Sequence, residues 1–197
     1  MYLIGGAPRV GKSLVAKRIA KHLDSDLIST DDLCDVYMET LSVADQKRLF
    51  PFPMFDGDPS KNVFSPEELV DFQYRSANSL KETIRHEIDR LSGTEAVIEG
   101  VHLLPEIFRE WHLDASLFHV LFVGCIDADL VVDGIMKNTN PQNWLKDSDP
   151  VVIRQVAEFS AEFSRRIKRE AEECGFAYFE RTEYFEEDLD RMGDLLS

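Results

Sequence analysis

Positive charge is in short supply in this chain: 22 lysines and arginines stand against 37 aspartates and glutamates, a net charge of −15. Such a surface repels a phosphate backbone or an anionic bilayer, which argues against nucleic acid and membrane as partners. A small anionic ligand is compatible with it, because distant charge is screened over about 8–10 Å while a binding site acts at contact. Cysteine is scarce too. Cys34, Cys125 and Cys174 are odd in number, widely spaced and in no metal-ligand pattern, so they read as reduced thiols of a cytoplasmic protein. Cys125, in apolar strand-like sequence, reads as core. No hydrophobic run is long: Leu117 to Ile126 is about ten residues, interrupted by His119 and too short to span a bilayer. No charged leader precedes the first strand, so no signal peptide is expected. The guanine-reading pattern Asn-Lys-x-Asp is absent, which argues against a small GTPase. The chain is also too short for a ring-forming motor with its extra helical lid. There is no internal repeat and no low-complexity tract.

What is present, at 44% hydrophobic residues in 197, supports one globular domain over 1–197, as a monomer or homodimer. Strand-like segments at 1–4, 27–29, 96–98, 117–126 and 176–179 alternate with helical ones, which implies a parallel sheet covered on both faces. Helical spacing over 33–50 breaks near Ser42. Residues 51–59 hold three prolines and a glycine that preclude a long helix, so 33–65 reads as a substrate flap of helix and loop. Ser65-Pro66-Glu67-Glu68 carries a capping box at the start of a helix running to about Leu91, longer than any strand, so one end must overhang the sheet. Residues 137–149 are polar and irregular, a lid over a ligand. Pro150 opens a long helix that Gly175 stops, and a last amphipathic helix carries Phe185, Leu189, Met192 and Leu196.

The first strand runs into Gly6-Ala7-Pro8-Arg9-Val10-Gly11-Lys12-Ser13, a full match to G-x-x-x-x-G-K-[ST], and a helical segment follows. Glycines let the backbone turn its N–H groups toward phosphate oxygens, and the helix N-terminus adds positive potential. Lys12 reaches the terminal phosphates and the Ser13 hydroxyl suits Mg²⁺. Gly6, Arg9, Val10, Gly11, Lys12, Ser13 and Leu14 are therefore expected to bind a nucleoside triphosphate, ATP.

Other chemistry-bearing residues fall at strand ends, where ligands bind in open α/β sheets. Asp31 and Asp32 follow the second strand; one can cap the next helix while the other meets an acceptor. Glu99 closes the third strand, placed to hold Mg²⁺ through water or to sit near the substrate. His102 either packs or touches substrate. Arg75, on the overhanging half of the long helix, is either a substrate contact or part of a solvated face. Arg181, after the fifth strand, lies where an adenine ring would be. Lys137 and Lys146 belong to the lid.

Together, Gly6–Ser13, Ser29-Thr30-Asp31 and Glu99-Gly100-Val101-His102 resemble the adenylate-kinase-like group of P-loop small-molecule kinases. The string Val97-Ile98-Glu99-Gly100-Val101-His102-Leu103-Leu104-Pro105 is similar to 2-phosphoglycerate kinase-like proteins, and zeta-toxin-like kinases share the layout. The resemblance implies a three-layer P-loop NTPase fold with strand order 2-3-1-4-5, and an aspartate after strand two, here Asp31, that binds the acceptor hydroxyl. It departs in the lid: nucleoside monophosphate kinases carry several arginines there and 137–149 has none, leaving Arg154, Arg165 and Arg166 as substitutes. The function expected is ATP-dependent phosphorylation of a metabolite hydroxyl, with Lys12 and Asp31 catalytic. A nucleotide-dependent switch or ATPase without an acceptor is the alternative.

Overall fold

A computed structural model describes residues 1–51, 64–113, 117–138 and 143–194. Its centre is a five-stranded parallel sheet: β1 (Tyr2–Gly6), β2 (Asp26–Ser29), β3 (Ala96–Gly100), β4 (His119–Gly124) and β5 (Ala177–Glu180), in the order β2-β3-β1-β4-β5. Fully buried Leu3 and Ile4 in β1, Val97 and Ile98 in β3 and Leu121–Val123 in β4 make the three middle strands continuous apolar runs. A parallel strand covered on both faces has that composition.

Among the described residues eight α-helices surround the sheet: α1 (Lys12–Leu23), α2 (Thr30–Glu39), α3 (Val43–Leu49), α4 (Pro66–Arg90), α5 (Pro105–Trp111), α6 (Ala128–Lys137), α7 (Pro150–Cys174) and α8 (Phe185–Asp194). A 3-10 turn covers Trp144–Asp147 within the expected lid. Contacts group α1 with α8, and α7 with α4, α5 and α6. The rings of Phe108, Phe122 and Phe176 meet with centroids 5.8–6.2 Å apart and tie α5 to the sheet. No described helix is long and apolar enough to cross a membrane.

The capping box of α4 is formed as the sequence predicts: Ser65 N–H donates to Glu68 Oε2 at 2.8 Å and Glu68 N–H to Ser65 Oγ at 3.2 Å. Its 25 residues measure about 38 Å against about 17 Å for a five-residue strand, so the helix outruns the sheet. The N-terminal half of α4 is braced against α7. Tyr74 Oη donates to Glu170 at 2.6 Å, and the Arg166 guanidinium lies 3.6 Å over the Tyr74 ring while pairing with Asp71.

Three sequence expectations change. The helix after β2 begins at Thr30, not near Leu33, because Ser29 is the cap: its Oγ accepts from Asp31 N–H at 3.2 Å. The helix α5, absent from the sequence reading, has Pro105 at its first turn but Leu104 before it, so no polar cap announces it. The strand expected over 117–126 contracts to six residues, with Asp127 capping α6 as expected. Residues 52–63 of the flap, 139–142 of the lid and Leu196 lie outside the described residues.

Candidate functional site

The loop between β1 and α1 is held in shape from three directions. Gly6 has φ +128° and lies so close to Val123 that a Cβ would run into its carbonyl oxygen; Ala7 N–H donates to that oxygen at 3.1 Å. The carbonyl of Pro8 accepts from Ser160 Oγ of α7 at 2.6 Å. Gly11, at φ +101°, backs onto the Phe185 ring of α8. Val10 is fully buried and anchors the loop, so any part it takes in binding is through its backbone, whereas Leu14 is 47% exposed on the first turn of α1.

At the helix start Lys12 is buried, its Nζ donating to Ala7 O at 3.1 Å across the loop. Burial pulls its pKa below the ordinary lysine value, and the charges of Glu99 and Asp31 work in the opposite direction. Next to it Ser13 Oγ donates to Glu99 Oε1 at 3.0 Å. The pair joins the end of β3 to α1 because β3 lies beside β1, with Glu99 in register with Ile4. A hydroxyl and a carboxylate are hard oxygen donors of the kind Mg²⁺ takes, and the ion characteristically completes its shell with water and phosphate oxygens.

On the β2 side Asp31 is exposed, its carboxylate 3.6 Å from Nδ1 of buried His102. The same nitrogen lies 3.1 Å from Thr30 Oγ1. Thr30 in turn occupies the space that a Cβ at Gly100 would need. Burial, reinforced by the Lys12 charge, pushes His102 down to about 4 against the pull of Asp31, so the imidazole is neutral near pH 7. A neutral ring between Thr30 and Asp31 fixes the start of α2 beside the exposed Asp31 carboxylate. Asp32, one residue on, is exposed.

Arg181, after β5, is buried; its guanidinium lies 5.0 Å over the Phe185 ring and donates to Arg9 O at 3.5 Å, with Nε unpartnered among the described residues. A Cβ at position 134 on α6 would lie 2.7 Å from its guanidinium nitrogens. A cavity of about 520 Å³ opens beside it, lined by Ile126, Leu130, Tyr184, Asp188 and Arg191 among others, but not by Lys12, Asp31 or Glu99. Arg9 itself sits at φ +63° and donates to Asn143 Oδ1 at 3.4 Å.

The structure thus brings Lys12, Ser13, Glu99, Asp31 and His102 together, with Arg9 and Arg181 alongside. It does not bring Arg75: helical phase turns that side chain to solvent opposite buried Gln73 and Ala77, where its guanidinium covers Phe72. Lys137 pairs with Asp133 on the surface, and Lys146 is exposed. The sequence reading missed Asn143, whose buried amide donates to Ile135 O at 2.9 Å and pins the lid to the end of α6, and Ser160, which supports the loop. Neither carries a local signal, since each acts through a tertiary contact.

No family model matches the chain. Over 128 residues, 61% of its length, it is 30% identical to the 2-phosphoglycerate kinase of Methanocaldococcus jannaschii, and the match spans 39% of that protein. Among solved structures, shikimate kinase from Bacteroides thetaiotaomicron superposes with a TM-score of 0.54 at 14% identity, covering 99% of this chain and 97% of its own. A gluconokinase from Sinorhizobium meliloti 1021 gives 0.50 at 14%, covering 98% and 93%. By sequence over the matched stretch and by fold over nearly its whole length, the chain resembles the P-loop small-molecule kinases.

Proposed function

We propose that the protein is an ATP-dependent kinase that transfers the terminal phosphoryl group to a hydroxyl of a small metabolite. The observation that carries this reading is the convergence at the ends of three adjacent strands: buried Lys12 after β1, the Ser13–Glu99 pair at the end of β3, and the exposed carboxylate of Asp31 after β2. Lys12 and the loop N–H groups hold the phosphates and offset their charge. Asp31 orients the acceptor hydroxyl and takes its proton, and His102 keeps the start of α2 in place. Ser13 and Glu99 would hold Mg²⁺, which supplies further charge neutralisation on the phosphates when bound. Arg181 and the cavity beside it are offered as the base end of the nucleotide site. A supported carboxylate on the acceptor side has no use in a pure switch, which favours transfer over hydrolysis alone. The free cysteines support a reducing, cytoplasmic setting.

The test is ADP release from ATP and Mg²⁺ with and without each of a panel of hydroxylated metabolites. One acceptor should accelerate release, and Lys12→Ala should lower the accelerated rate by about 10²–10³-fold. Turnover that no acceptor changes and that survives Lys12→Ala would remove the kinase reading.

A further inference from the structure

A phosphoryl group in flight spreads negative charge over its equatorial oxygens, which a guanidinium is suited to stabilise. Residues 137–149 hold no arginine. Of the four arginines on α7, Arg154 pairs with Asp129 at 2.7 Å, Arg165 with Glu162 at 2.8 Å, and Arg166 with Asp71 and Glu170 against the Tyr74 ring, while Arg169 is exposed near the C-terminal end of the helix, away from the phosphate loop that Ser160 supports. Arg75 faces solvent, and Arg181 is wedged between Gly134 and Phe185.

Building on the kinase reading, we propose that Arg9, from within the phosphate loop itself, is the catalytic guanidinium that contacts the transferring phosphoryl group. Its left-handed backbone, φ +63°, departs from what a long side chain prefers, and the neighbouring contacts hold it there: Ser160 on Pro8 O and Arg181 on Arg9 O. The guanidinium is half-buried, and its hydrogen bond among the described residues is a long one, 3.4 Å to Asn143 Oδ1. Donors of the fork are thus left over for an anion. It lies within electrostatic reach of both Lys12 and Asp31. Asn143 ties the lid to this same side chain, so lid position and guanidinium position are coupled. In the transfer the bond from the terminal phosphorus to its bridging oxygen breaks and leaves ADP. The acceptor oxygen bonds to phosphorus, and its proton passes to Asp31. Arg9 donates to the equatorial oxygens and exchanges no proton.

The test needs no acceptor. ADP is bound with Mg²⁺ in the presence and absence of aluminium fluoride, which mimics the group in flight, and ATP affinity is measured on the same samples. Wild type should gain affinity for ADP when aluminium fluoride is added. Arg9→Met should lose at least about tenfold of that gain while ATP affinity moves by less than about threefold, and Arg9→Lys should keep part of it. Unchanged ATP affinity also shows that the variant is folded. Arg9→Met retaining the whole gain, or losing ATP affinity to the same extent, overturns the proposal. Wild type that binds ATP without any gain from aluminium fluoride overturns it too and leaves the phosphate loop standing. Wild type that binds no nucleotide overturns the kinase reading beneath it.

Discussion

Lowering the pH should destabilise this protein between about 6.5 and 4 in a way that one side chain controls. His102 is buried between Thr30 and Asp31 and is held down to about 4, from an ordinary histidine value of 6.5. In the unfolded chain the same imidazole takes up its proton near 6.5. Across that interval the unfolded state binds more protons, so stability falls as pH falls, and His102 has no effect above it. A shift of 2.5 units at about 1.4 kcal/mol each corresponds to about 3 kcal/mol by pH 4, a large part of a typical domain's 5–15 kcal/mol. Other groups titrate in the same range, so the informative quantity is the difference between wild type and His102→Asn. That variant keeps a polar atom near the Nδ1 position and cannot acquire the charge. Urea midpoints followed by tryptophan fluorescence from pH 4 to 7.5 give both curves. The variant should be less stable at pH 7.5, and the gap should close or reverse toward pH 4. Parallel curves would refute the placement of a neutral, buried imidazole at this position.

The site and its supports carry further expectations. Asp31→Asn should cut transfer by about 10²–10⁴-fold and leave ATP affinity nearly unchanged, since the cap of α2 is Ser29 and survives; Asp32→Asn should do much less, and steady-state kinetics with the true acceptor separates the two. Glu99→Gln should weaken the dependence of turnover on Mg²⁺ concentration without unfolding the protein, and an unchanged Mg²⁺ titration would show that Glu99 has another task. Gly100→Ala should destabilise by about 2–4 kcal/mol, as its Cβ would displace Thr30 and, through it, His102; a melting temperature equal to wild type would show that the packing yields cheaply.

Where the sequence could be read correctly, the cause was local. The phosphate loop, the Ser65–Glu68 box and Gly175, with φ +75° at the end of α7, are each written within a few residues and formed as expected. Apolar runs at β1, β3 and β4 identified a sheet buried on both faces, and the strand order followed from the resemblance. Failures arose where distance or rotation mattered. For Arg75 the sequence left a substrate contact and a solvated face both open, and the periodicity of Val70, Ala77, Ile84 and Ile88 turns position 75 to the exposed side. The start of α2 slipped by three residues because Asp31 and Asp32 looked like caps while Ser29 had formed the cap. The contacts of Asn143 with Arg9, 134 residues apart, and of Ser160 with Pro8, 152 apart, belong to the assembled fold and leave no trace in a local window.

Those last contacts have a consequence for how the molecule comes into being. Both strands that flank β1 come from far downstream of it, at 96–100 and 119–124. The carbonyl that receives Ala7 N–H is Val123, and the hydroxyl that steadies Pro8 belongs to residue 160. The segment that meets the phosphates therefore cannot take its final shape until residues as far along as Ser160 are in place. Closing loops of that length is slow, so the phosphate loop is ordered late, together with the central sheet. An anion that binds the finished loop then stabilises contacts drawn from the whole length of the polypeptide, and nucleotide in the surrounding solution acts as a brake on global unfolding.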